Sequence, residues 1–267
     1  MKKKLIFKVF GNKQSYITPE WSCLSNPDSN LIAYYDQVLN KPFSKKRFRR
    51  AGVFRVIDKV DNEKQFSAFE NLRCLDMPIK MAGDKEYRIP LEFKNFIDPI
   101  SKMISWENAH NKNSIDFYAY LTVDQTLSKE GEYHREPGCH VDGFQGARIS
   151  PKVACDRSYI VLDCNCPSIW NQSFETVENM DDSTHNIFHE FDRTKHYSSE
   201  IKVSPYNIYF MDGYTVHSAN EITNENKRTF LRLSYSARQF DRMGNSKNNC
   251  FDYNWEMVER SVAKSLI

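Results

Sequence analysis

Residues 115–123 read Ile-Asp-Phe-Tyr-Ala-Tyr-Leu-Thr-Val. Ile115, Phe117, Ala119, Leu121 and Val123 alternate with Asp116, Tyr118, Tyr120 and Thr122, the pattern of a half-buried β-strand. Residues 157–163 are a shorter apolar run. Residues 205–211 are another, closed by the turn signal Asp212-Gly213. Residues 229–237 alternate again, with Leu231 and Leu233 on one side and Phe230, Arg232 and Ser234 on the other. Short strands separated by turn residues predict a sandwich or barrel.

Before residue 115 the apolar spacing is closer to helical. Ser29 or Asn30 is placed to cap a helix with Leu31, Ile32, Tyr35, Val38 and Leu39 on one face, stopped by Pro42. Asn62 is placed to cap a second, carrying Phe66, Phe69 and Leu72 or Leu75. Pro90 opens a third, lined by Phe96, Ile97, Ile100, Met103 and Ile104 and interrupted by Pro99. The end, 253–267, reads as a closing helix bearing Trp255 and Val258. The expected organisation is a mostly helical support region (1–114), a β core (115–240) and a helical extension (241–267) in one integrated domain.

A chain of 267 residues with 40 % hydrophobic and 27 % charged residues buries a core without staples. Lys plus Arg number 37 against 35 Asp plus Glu, so net charge alone argues against a strongly basic nucleic-acid binder. Neither a dinucleotide fingerprint nor a P-loop occurs among the nine glycines. The seven cysteines are odd in number and without framework spacing, which predicts reduced thiols in the cytoplasm. Cys164-x-Cys166 is a close pair with no second pair at zinc-ribbon spacing. The basic start, Met1-Lys-Lys-Lys4, precedes too few apolar residues for a signal peptide, and no apolar run is long enough to span a membrane. The run 45–50, Lys-Lys-Arg-Phe-Arg-Arg, is the sharpest charge feature. It is of a kind that grips phosphates, but a solvated loop or helix face is the plainer reading, so nucleic acid is a lesser partner than a small molecule. Oligomeric state is open.

The unusual stretch is 133–146, Tyr-His-Arg-Glu-Pro-Gly-Cys-His-Val-Asp-Gly-Phe-Gln-Gly. In His140-x-Asp142 an imidazole and a carboxylate fall on one side of an extended backbone. His217, after a strand and a tight turn, is the candidate third ligand of a facial triad. Arg228 lies eleven residues past His217, and Arg232 lies four further on the same strand face. A planar guanidinium suits a cosubstrate carboxylate. His134-x-Glu136, followed at once by Pro137, reads as loop at a pocket rim. His185 and His189 stand at i and i+4 but have Asn186 where a zinc protease needs glutamate.

This order of parts resembles the Fe(II)/2-oxoglutarate-dependent oxygenases, over residues 115–240, and is closest in pattern to the taurine-dioxygenase and clavaminate-synthase branch. The resemblance implies a mainly β protein with α: a double-stranded β-helix (jelly-roll) core with N-terminal helices packed on one sheet. It implies Fe(II) held by His140, Asp142 and His217, and 2-oxoglutarate held by Arg228, with Arg232 and Ser168 of the Ser168-Ile-Trp170 segment as further contacts. The branch usually has Thr where Ser168 stands. O2 is the co-oxidant, and succinate and CO2 are co-products. Because Asp142 is present, hydroxylation or a related oxidation is expected in place of halogenation. Gln125, Tyr133, Arg148 and Trp170 are candidates for lining the substrate pocket. Alternatives are the same chemistry on a nucleic-acid base or protein side chain, a silent jelly-roll binding module, and a cupin-like dioxygenase that needs no keto acid.

Overall fold

The computed structural model describes residues 6–8, 15–142, 154–181 and 184–259. Its strands are β1 (Ile6–Lys8), β2 (Tyr16–Thr18), β3 (Phe54–Lys59), β4 (Arg73–Lys80), β5 (Ile89–Pro90), β6 (Tyr118–Ser128), β7 (Arg157–Leu162), β8 (Ser168–Trp170), β9 (Glu200–Lys202), β10 (Asn207–Asp212), β11 (Val216–Ser218) and β12 (Asn226–Ser236). The α-helices are α1 (Ser29–Tyr34), α2 (Glu63–Phe66), α3 (Ile97–His110) and α4 (Ile187–Thr194).

Six strands form a large antiparallel sheet in the order β3-β10-β7-β12-β6-β4, and three form a small one in the order β11-β8-β9. From β6 onward the chain alternates between the two. β6 and β7 lie in the large sheet, with His140 between them bridging to His217 of the small sheet. β8 and β9 are in the small sheet, β10 returns to the large one, β11 to the small one and β12 to the large one. That winding is a jelly roll, so the protein is mainly β with α.

Strand parity decides what each face meets. Ala119, Leu121 and Val123 of β6, Tyr159 and Val161 of β7, Ile208 and Phe210 of β10, and Leu231, Leu233 and Tyr235 of β12 share a core with Phe96, Ile100, Met103 and Ile104. This face of the sheet is covered by helices. The opposite residues, Ile160, Leu162, Tyr209 and Met211, pack with Ile169 and Val203 between the sheets. The residues on this inner face of β12 include Phe230 and Arg232, whose register partners on β6 are Asp124 and Thr122.

The three N-terminal helices form where expected, with shifted ends. Asp28 caps α1, its Oδ1 accepting from the Asn30 and Leu31 amides at 2.9 and 3.3 Å, and a π-helical turn, Tyr35–Leu39, prolongs it. Asn62 caps α2, but this helix ends at Phe66 and Leu75 belongs to β4. Pro99 sits in the first turn of α3, where no amide bond is lost.

Two expectations are corrected. The region 1–114 is not mostly helical, because it supplies β3 and β4, both edges of the large sheet. β3 leaves Arg55, Val56, Asp58 and Lys59 exposed, which hides its alternation. β4 contains Pro78, and Asp76 has a φ of 47°, so its register shifts twice against β6. A bulge of this kind scrambles a period-two pattern. Nor is there a helix over 253–259, the described part of the predicted closing helix; residues 260–267 lie outside the described residues. Val258 instead bridges Arg242, and Trp255 packs edge-on against Tyr118 with ring centres 5.7 Å apart. No helix among the described residues is long and apolar enough to cross a membrane.

Candidate metal centre

His140 and His217 are joined through their backbones. The His140 amide donates to the His217 carbonyl at 2.9 Å and the His217 amide to the His140 carbonyl at 3.0 Å. Their rings lie 4.2 Å apart between centres. Asp142 comes two residues later, its Oδ2 3.9 Å from Nε2 of His217. One ligand atom from each of the three lies within 4.8 Å of the others, the one such group of three found among the described residues.

The segment entering His140 is fixed from α4. Both oxygens of Asp192 accept from the Cys139 amide at 3.1 Å, and Lys195 holds Asp192 at 2.8 Å. The preceding Gly138 has a φ of +112°, and a Cβ there would stand 2.9 Å from Asp192 Oδ2. Only glycine tolerates both conditions.

The imidazole tautomers follow from their partners. Nδ1 of His140 faces the Gly138 carbonyl at 3.1 Å and Nδ1 of His217 faces the Thr215 carbonyl at 3.0 Å. A carbonyl can only accept, so each Nδ1 carries the proton and each Nε2 offers a lone pair. Burial, with the neighbouring His217 and Arg135, pushes His140 down to about 3. Burial also lowers His217. Burial alone would raise Asp142, but Arg232, His217 and Arg135 outweigh it and hold the carboxyl well below its usual range. Two neutral imidazoles and one carboxylate at neutral pH form the donor set of a divalent transition metal.

Behind Asp142 lies a second layer. Arg232 donates to Asp142 Oδ2 at 3.0 Å and to Asp76 Oδ1 at 3.1 Å. Asp76, at the bulge of β4, is fixed by Thr122, whose hydroxyl accepts from the Asp76 amide at 3.0 Å. Arg232 thus bridges the carboxylate of the His140–Asp142–His217 group and a buried one.

The triad opens into a cavity of about 640 Å³, also lined by Arg73, Asp124, His134, Arg135, Asn165, Arg228 and Phe230. Arg228 is 7 % exposed, yet the nearest carboxylate oxygen, on Asp124, is 3.8 Å away, and its buried Nε has no partner. A buried cation so loosely paired is costly without an anion.

The structure therefore brings together His140, Asp142, His217, Arg228 and Arg232. It does not bring Gln125 to the cavity. Strand parity turns that side chain to the helical face, where Oε1 accepts from the Glu70 and Leu72 amides and Nε2 donates to the Ala68 carbonyl at 2.8 Å. Ser168 is not among the lining residues either. Its hydroxyl bonds to Glu200 and lies 2.9 Å from Asn220 Oδ1. Trp170 is buried in a separate cluster with Phe174 and Val177, and Tyr133 is 40 % exposed and bonded to Glu221. Arg148 lies outside the described residues. Cys139 points away from the triad into the Trp170 cluster, as parity requires, and burial pushes its thiol up to about 12.

The rival features have structural duties. His185 precedes α4 and contacts Thr184 and Asp181, apart from the exposed His189. Within 45–50, Arg47 donates to the Arg50 and Ala51 carbonyls and to Tyr34, Lys45 to the Met180 carbonyl, and Arg49 pairs with Glu178. Phe48 is buried against Phe191 with ring centres 5.1 Å apart. Sequence reasoning missed Asp76, Asp124 and Arg73. Only the register of β6 against its neighbours reveals them, with Asp124 facing Phe230 on one side and Arg73 on the other.

No family model and no curated protein matches the sequence. Solved structures similar to it include AviO1 from Streptomyces viridochromogenes Tue57, 14 % identical, with 72 % of this chain and 93 % of that one covered and a TM-score of 0.43. The non-heme alpha-ketoglutarate-dependent carbocyclase SnoK from nogalamycin biosynthesis is 12 % identical, with 81 % and 86 % covered and a TM-score of 0.44. An oxidoreductase of the 2OG-Fe(II) oxygenase family from Burkholderia pseudomallei is 9 % identical, with 85 % and 97 % covered and a TM-score of 0.38.

Proposed function

We propose that this chain is an Fe(II)- and 2-oxoglutarate-dependent dioxygenase. It hydroxylates a small polar molecule, such as an amino acid, a nucleotide or a natural-product intermediate, with succinate and CO2 as co-products. One observation carries this: a three-donor group and a buried, loosely paired arginine share one cavity.

The residues present fit both groups. Two imidazoles and a carboxylate leave coordination positions for a keto acid and oxygen on a six-coordinate ion. His140, Asp142 and His217 would hold the iron, which with 2-oxoglutarate and O2 supplies the oxidising chemistry. The Gly138 and Thr215 carbonyls keep both Nε2 atoms aimed and deprotonated. The Arg228 guanidinium would take the distal carboxylate of 2-oxoglutarate through its planar fork. Ile160, Leu162, Met211 and Phe230 line the cavity with apolar surface that limits water.

Incubation with Fe(II), ascorbate, O2 and 2-oxoglutarate should release succinate above an iron-free control, and His217→Ala should abolish that release. Equal succinate from wild type and His217→Ala would contradict the proposal.

A further inference from the structure

We propose that the substrate of this site is an anion, carrying a carboxylate or a phosphate, and that Arg135 is the residue that recognises it. This rests on the function proposed above and narrows its substrate class.

Arg135 lies in the loop before the triad and lines the cavity. Its side chain is 52 % exposed, and the ion-pair partner described for it is Asp142, Nη1 to Oδ1 at 3.5 Å. That partner is a metal ligand. A divalent ion drawing on Asp142 takes over the charge that now faces Arg135. No other carboxylate on the described cavity wall is spare: Asp124 is bonded to Arg73 at 3.0 Å, and Asp76, just behind the wall, is bonded to Arg232 at 3.1 Å. Arg228 would be neutralised by the cosubstrate.

Charge over the whole chamber agrees. The described wall carries four arginines, Arg73, Arg135, Arg228 and Arg232, against Asp124 and Asp142, with Asp76 behind Arg232. His134 adds no charge at neutral pH, since burial and Arg228 push it down to about 4. With a divalent ion and a doubly charged keto acid in place, one positive charge is left over. It falls on Arg135, at the exposed side of the triad. A guanidinium beside a metal in a partly desolvated cavity binds an oxyanion bidentately and rejects a neutral isostere, whose approach leaves the cation unpaired.

The test is phosphorus NMR relaxation on the full chain, held in excess over Mn(II) and saturated with 2-oxoglutarate. Inorganic phosphate is the anionic probe and trimethyl phosphate the neutral one. A Mg(II) sample gives the diamagnetic baseline, and the proton signals of 2-oxoglutarate report that cosubstrate and metal are bound together. We expect phosphate to be relaxed strongly and trimethyl phosphate not. In Arg135→Gln the apparent phosphate affinity should fall at least ten-fold while 2-oxoglutarate relaxation is unchanged. Arg50→Gln should behave as wild type. If 2-oxoglutarate is relaxed but phosphate is not, or if Arg135→Gln relaxes phosphate like wild type, the anion proposal is overturned and the oxygenase assignment stands. If 2-oxoglutarate itself is not relaxed, both fall.

Discussion

Replacing Asp76 with asparagine should weaken metal binding although Asp76 never touches the metal. Arg232 lies between Asp76 and Asp142 at 3.1 and 3.0 Å, and Asp76 is 4 % exposed. In wild type its charge is shared by two carboxylates. Without the Asp76 charge, Arg232 is drawn wholly to Asp142 and competes with the incoming ion. The ion also loses the attraction of one buried negative charge close behind its ligand. Loss of a group that orients a metal ligand raises Kd by roughly 10–100-fold, and that is the rise expected here. Asparagine is the substitution of choice because it tolerates the left-handed backbone at this position, φ 47°. The assay is competition for Co(II) against a chromogenic chelator, with thermal unfolding of the apo-protein as the folding control. A Kd within three-fold of wild type, in a variant that melts normally, would show that Asp76 does not act on the metal site through Arg232.

Further expectations follow from other parts of the fold. Gly138→Ala should shift the His140 segment, because φ is +112° and the new Cβ would press on Asp192, so Co(II) affinity should drop and strain of about 1 kcal/mol or more should lower the melting temperature by at least roughly 2–4 °C. Glu107→Gln should strand Arg157, since both side chains are fully buried and paired. Breaking a buried pair costs about 3–5 kcal/mol, roughly a 6–20 °C fall in Tm by calorimetry. Burial, against Arg238, raises Asp156 to about 6. The folded state thus keeps a proton that the unfolded state loses near pH 4. Stability should therefore fall as pH rises from about 4 to 6, by about 3 kcal/mol relative to Asp156→Asn, and the difference should level off above that. A pH-independent difference in urea unfolding between the two proteins would refute that assignment.

The core strands were legible because they are long, buried on at least one face and regularly alternating. Leu231 and Leu233 against Phe230 and Arg232 even separate the helical face of β12 from the cavity face. The edges were not legible. β3 is largely exposed and β4 carries Pro78 and a bulge at Asp76, so neither keeps a period. At the site, the order of His140, Asp142, His217 and Arg228 along the chain was enough to name them together. Gln125 was misplaced by a single step of parity: position 125 shares its face with Val123 and Leu121, against the helices. Arg232 was expected to face a cosubstrate and instead bonds to Asp142 and Asp76. Asp76 enters the chain 64 residues before His140, and nothing in its local sequence marks it. The basic run 45–50 reads as a solvated loop or helix face, with a phosphate grip the lesser reading; its partners Glu178, Tyr34 and the Met180 carbonyl are distant in sequence and so not legible there.

The proposed oxygenase chemistry is tested by an anaerobic titration of apo-protein with Fe(II) and then 2-oxoglutarate, following the weak visible band of an iron-chelated keto acid. The band should appear in wild type, be absent in His140→Ala, and need at least ten-fold more 2-oxoglutarate in Arg228→Gln. No band in wild type, together with no metal-dependent binding of 2-oxoglutarate, would mean that the chain is not a 2-oxoglutarate oxygenase.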